Sequence, residues 1–70
     1  MAVYYHQQTN EKVQAIKVKD IRETFANSEG EVTVTQGNYI VTFEDGHKIG
    51  VAAADFEFLY AKTINKSLSE

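Results

Sequence analysis

Two histidines, ten carboxylates and seven basic side chains are the groups available for chemistry in these 70 residues, and there is no cysteine. Without cysteine there is no thiolate nucleophile, no disulfide and no thiolate-ligated zinc. His6 and His47 do not complete a zinc site by themselves. Catalysis needs a nucleophile, a base or a metal held in a pocket. His6 falls in a polar stretch of no clear period. His47 follows Asp45-Gly46 and is expected opposite Glu44, where a cross-strand Glu–His contact is worth a fraction of a kcal/mol. Glu44 and Asp45 are adjacent, and neighbours on a strand point apart, so they form no acid–base pair. Gly30, Gly37, Gly46 and Gly50 fall at turn or strand positions and build no phosphate cradle. A chain this short is also expected to leave little room for a pocket on the usual ~300 Å³ scale. The expectation is a non-enzymatic protein with no metal and no cofactor.

The rest of the polar chemistry is charge. The formal net charge is −3, which argues against binding a phosphate backbone. Its distribution is uneven. Asp20 to Glu57 holds eight acids and two bases, a net of −6, while the flanks carry a net of +3. Lys12, Lys17 and Lys19 could line up as a small basic strip. That strip supports one alternative function, an accessory factor associated with nucleic acid. The acidic centre supports another, an inhibitor that occupies a basic groove on a host enzyme.

These side chains must be held by local elements. Val13 to Val18 reads as a strand. Asp20, with Glu23 three residues on, has the capping-box pattern and predicts a short helix over 21–28, with Ile21 and Phe25 on one side. Gly30 then suits a helix-ending position of positive φ. Val32 and Val34 alternate with Thr33 and Thr35, the period of a half-buried strand. Gly37-Asn38 suits a two-residue type II′ turn, and Asp45-Gly46 a type I′ turn. Between and after them lie strands over 39–44 and 47–52. Asp55 is a suitable N-cap for a last helix whose stripe is Phe56, Leu59, Tyr60 and Ile64; Phe58 falls off it.

Two-residue turns fix a register. Val34 then pairs with Val41, Val32 with Phe43, Thr42 with Ile49, and Ile40 with Val51. One face carries Val32, Val34, Tyr39, Val41 and Phe43, the expected core. The other carries Thr33, Thr35, Ile40, Thr42, Ile49 and Val51, and is the candidate protein interface. Gly50, inside a strand, marks either a bulge or a close approach by another chain segment. Room for Tyr39 or Val41 is the simpler of these readings.

The expected fold is α+β: a small two-layer domain ordered strand, helix, three-stranded antiparallel meander, helix. Residues 1–11 are assigned to an irregular lead-in, 12–64 to a single domain and 65–70 to a polar tail. Tyr4 and Tyr5 could still dock on the core. So short a chain buries only about 60% of its unfolded surface, so self-association would add needed burial. No apolar run reaches the ~18 residues of a membrane span, and no signal peptide is evident. A cytoplasmic location follows as an expectation.

Val13-Gln14-Ala15-Ile16, Gly37-Asn38-Tyr39-Ile40-Val41, Asp45-Gly46 and Phe56-Glu57 with Tyr60 together resemble a family of small phage and prophage proteins. Its members typically carry V-x-A-I, G-D-Y-I-V, a turn with Gly, and a closing F-E-x-x-Y. The likeness spans residues 13–60. This chain departs from it at Asn38, where the family usually has Asp, and at Ala53-Ala54, where it usually has Lys-Pro. The resemblance implies an accessory protein acting in a bacterial cytoplasm, and no residue roles. The expected partner is a second copy of the chain, or a host or phage protein.

Overall fold

Val13-Gln14-Ala15-Ile16 alternates buried and exposed, as a strand with one covered face must. It lies in β2 (Lys12–Lys17), the middle of a five-stranded antiparallel sheet. The computed structural model describes residues 2–68. β1 (Ala2–His6) flanks β2 on one side, and β5 (Tyr39–Phe43) on the other. β6 (Lys48–Val51) pairs with β5, and the two-residue β7 (Tyr60–Ala61) pairs with β1, giving the order β6-β5-β2-β1-β7. β3 (Arg22–Asn27) and β4 (Gly30–Thr35) form a separate hairpin. One helix, α1 (Ala53–Leu59), and a 3-10 turn (Lys66–Leu68) complete the described residues. The fold is α+β, with 51% of residues in strands.

The two faces of the large sheet are covered by different elements. Val13, Ala15, Val41, Phe56 and Tyr60 form the main buried cluster, joined by Tyr4, Tyr39, Phe43, Ile49, Val51 and Leu59. Phe56 comes from α1. Its ring stacks on Tyr39 at 3.9 Å between centroids and meets Tyr4 edge-on at 4.8 Å. Small Ala15, between those strands, leaves space for it. On the opposite face the β3–β4 hairpin rides over β6. A Cβ added at Gly50 would lie 2.8 Å from Val34 Cγ2 and 3.6 Å from Val32 Cγ1. Gly50 therefore marks a close approach by the hairpin, and not room for Tyr39 or Val41.

Several expectations are corrected. The helix over 21–28 is strand β3. Phe25 lies opposite Val32 and Glu23 opposite Val34, so Glu23, Phe25 and Asn27 face inward while Arg22, Thr24 and Ala26 are exposed. Ile21, which a helix would have buried, is 81% exposed. The stretch 1–11 is not all irregular, since it contains β1, and Tyr4 packs on the core as anticipated. Among the described residues there is no three-stranded meander. β4 pairs with β3, and β5 pairs with β2, Ala15 opposite Val41. Asn38 N–H donates to the Thr35 carbonyl at 3.2 Å, so Gly37, with φ of 90°, is the third residue of its turn. Type II turns want glycine there, whereas a II′ hairpin wants it second.

The second hairpin is real, with a register one residue from that expected. Phe43 N–H donates to the His47 carbonyl and Gly46 N–H to the Phe43 carbonyl, enclosing the three residues Glu44-Asp45-Gly46. Gly46 has φ of 92°, the bulge position of a three-residue loop. Val41 is consequently opposite Ile49, and Tyr39 opposite Val51. The last helix begins earlier than expected and stops sooner. Its N-cap is Ala52, not Asp55, and Tyr60 already belongs to β7. Of the expected stripe, Phe56 and Tyr60 are buried, Leu59 is half-buried and Ile64 is 43% exposed. Ser69 and Glu70 of the expected tail lie outside the described residues.

Candidate functional site

The one-residue register difference divides the candidate interface. Ile49 and Val51 face α1 and pack on the main core. Ile40 and Thr42 are half-buried on the opposite face. Thr33 and Thr35 are exposed on the outward side of β4, and Thr33 Oγ1 lies 3.3 Å from Thr24 Oγ1 across the hairpin. The six residues therefore make no common surface. The shift parts Ile40 and Thr42 from Ile49 and Val51, because side chains alternate with a period of two; Thr33 and Thr35 are set apart because β4 pairs with β3.

The basic strip is divided as well. Lys12 and Lys17 are five positions apart on β2, an odd separation that puts them on opposite faces and about 17 Å apart. Lys12 borders an open depression of about 400 Å³ beside Glu44. Lys17 and Lys19 border another, of about 500 Å³, beside Asp20 and Glu23. Each lysine group has carboxylates close by, an arrangement unsuited to following a phosphate backbone. Both depressions are open to solvent, and their volumes exceed the little room for a pocket expected of so short a chain.

Both histidines are engaged in local contacts. His6 Nδ1 accepts from Gln8 N–H at 3.1 Å, and its ring meets Tyr60 edge-on at 5.0 Å. His47 does not face Glu44. It is opposite Phe43, and the two rings lie 5.9 Å apart at 24°. Its N–H is held by Asp45 Oδ1 at 2.8 Å. Among the described residues no three His, Cys, Asp or Glu side chains come together as a metal site. The Tyr60 phenol is pushed up by burial and, secondarily, by the Glu11 carboxylate.

Two features emerge that the linear pattern did not reveal. One is the outer side of β1 and β2. Val3 is 40% and Ile16 43% exposed there. Val3 lies opposite Gln14, which makes Ile16 its diagonal neighbour, and Ile16 lies directly opposite Ile40. Tyr5 is half-buried on the same side. The apolar and aromatic run Val3-Tyr4-Tyr5 was the available signal, lost among the polar residues that follow it. The second feature is the depression beside Lys17. The cross-strand partners Ala2 and Ala15 border it together with Tyr4, Ile16 and Tyr39.

β1 also has a half-open edge. His6 N–H donates to the Glu11 carbonyl, on the β2 side. Alternation then turns the Val3 N–H and C=O away from β2. β7 pairs only with Tyr5 and His6, so no strand of the described residues covers the edge at Val3. The structure sets exposed apolar side chains beside an unpaired strand edge. No protein-family model matches this chain, and no curated protein and no solved structure matches it either.

Proposed function

We propose that this chain is a small phage- or prophage-encoded accessory protein of the bacterial cytoplasm that acts through protein contacts, first with a second copy of itself. The observation that carries this reading is the apolar outer side of β1 and β2. Val3 and Ile16, both about two-fifths exposed, are cross-strand diagonal neighbours there. The Val3 edge beside them adds unpaired backbone groups. Strand edges of this kind recruit other strands unless they are blocked, and antiparallel pairing of two β1 edges would cover edge and side chains together. Association also suits a chain whose small core leaves a thin stability margin.

Solution mass by light scattering across micromolar concentrations, at low and high salt, tests the proposal. A dimer or larger species insensitive to salt is expected, because a packed apolar interface is little screened. Ile16→Asp should yield a monomer with an unchanged circular dichroism spectrum. A monomer at every concentration would remove self-association, and the same surface would then be tested against lysate proteins.

A further inference from the structure

We propose that the depression at the Ala2–Ala15 corner is a binding site for an aromatic zwitterion of amino-acid size. Its volume of about 500 Å³ lies within the ~300–1,000 Å³ range of small-ligand sites. The cross-strand pair Ala2 and Ala15 borders it; Ala15 is 3% exposed in the core and Ala2 is half-buried. Tyr4 and Tyr39 border it as well. Phe56 braces both rings, edge-on to Tyr4 and stacked on Tyr39. Braced rings beside a small apolar residue suit a flat apolar body, which aromatic contacts hold at little entropic cost.

The rim selects the charge of that body. Lys17, cross-strand partner of Tyr39, and Lys19 bring two ammonium groups. Asp20 and Glu23 bring two carboxylates to the same opening. No hydrogen bond or ion pair within the described residues engages the charged ends of these four side chains. A ligand with one carboxylate and one ammonium group can use both signs. A singly charged ligand uses one and meets repulsion from the other. Lys17 can in addition sit over the face of a bound ring.

The test is an NMR titration of the isotope-labelled chain with four probes sharing one ring: tryptophan, indole-3-acetate, tryptamine and indole. Tryptophan should bind at low millimolar Kd and about fivefold tighter than any singly charged probe, the scale of exposed charge pairs. Shifts should concentrate on Ala2, Tyr4, Ala15, Lys17 and Tyr39. The double variant Lys17→Gln, Lys19→Gln, with a native-like spectrum, should abolish the preference for tryptophan over tryptamine while ring binding persists. Equal binding of all four probes, shifts centred on other residues, or an unchanged preference in the double variant would overturn the proposal. Ile16 borders both this depression and the proposed interface; the preference for tryptophan over tryptamine reads the site and solution mass reads the association, so the failure of one is told apart from the failure of the other.

Discussion

Single atoms decide several features of this protein. Gly50 is required by contact, since any Cβ there meets Val34 Cγ2 at 2.8 Å. Gly50→Ala should cost about 1–3 kcal/mol, the usual penalty of overpacking, read as a lower melting temperature. Val34→Ala in that background should recover part of the loss, because it removes the opposing methyl groups. Tyr60 supplies a pH dependence. Its phenol ionises above its ordinary value of 10.0, chiefly through burial. The folded state therefore retains the proton when the unfolded chain has begun to lose it, so stability holds below that value and falls as pH rises through the folded pKa. Melting temperatures between about pH 8 and 11 should decline for the native chain and decline less for Tyr60→Phe. Most of this scale was legible only in part. Gly50 stands out in the sequence as a glycine inside a strand, but the sequence does not say which side chain approaches it.

At the scale of elements, side-chain amides do much of the joining. Asn38 Oδ1 accepts from Ala53 N–H at 3.0 Å, and its Nδ2 donates to Thr35 Oγ1 at 2.8 Å. One residue thus caps α1 from a distant turn, which explains a helix that starts at an alanine with no capping side chain of its own. Asn38→Ala should cost about 1 kcal/mol, the usual value of an N-cap, measured by chemical denaturation. A second clasp holds the segment after β7. Asn65 N–H donates to Asn10 Oδ1 at 2.7 Å, Asn10 Nδ2 to the Asn65 carbonyl at 3.1 Å, and Asn65 Nδ2 to the Gln7 carbonyl at 2.7 Å. Asn65→Ala should speed amide exchange over 62–68 while β2 and β5 stay protected, because these bonds tie only that segment to the β1–β2 turn. Strands β2, β4, β5 and β6 were readable from alternation, and their apolar residues kept their period. The region 21–28 misled because Asp20 with Glu23 and Ile21 with Phe25 satisfy helix rules locally. The strand is chosen by β4, which supplies Val32 opposite Phe25 and a ladder for the backbone. The Asn38 cap and the Asn65 clasp join residues far apart in the chain, so no local pattern announces them.

The molecule measures 40 × 23 × 18 Å with a radius of gyration of 12.4 Å, against about 11 Å for a globular chain of this length. The excess reflects a sheet covered by a single helix on one side and by a hairpin over β6 on the other, with the outer side of β1 and β2 carrying exposed Val3 and Ile16. Aspartate substitutions should report which side is which. Val51→Asp places a charge against the core and should abolish the cooperative melt, whereas Ile16→Asp should leave it intact and change only the solution mass. That contrast inverts part of the interface expected from sequence, which put Val51 on the open side. The sequence alone determined the mixed α+β class, most of the strands, the absence of cysteine chemistry and the acidic centre, because composition and period-two alternation are local properties. The tertiary structure decided strand order, register and the open corner beside Ala2. Those depend on one extra residue in the Glu44-Asp45-Gly46 loop and on which strand reaches β2 first, and both are settled by long-range pairing that local patterns do not encode.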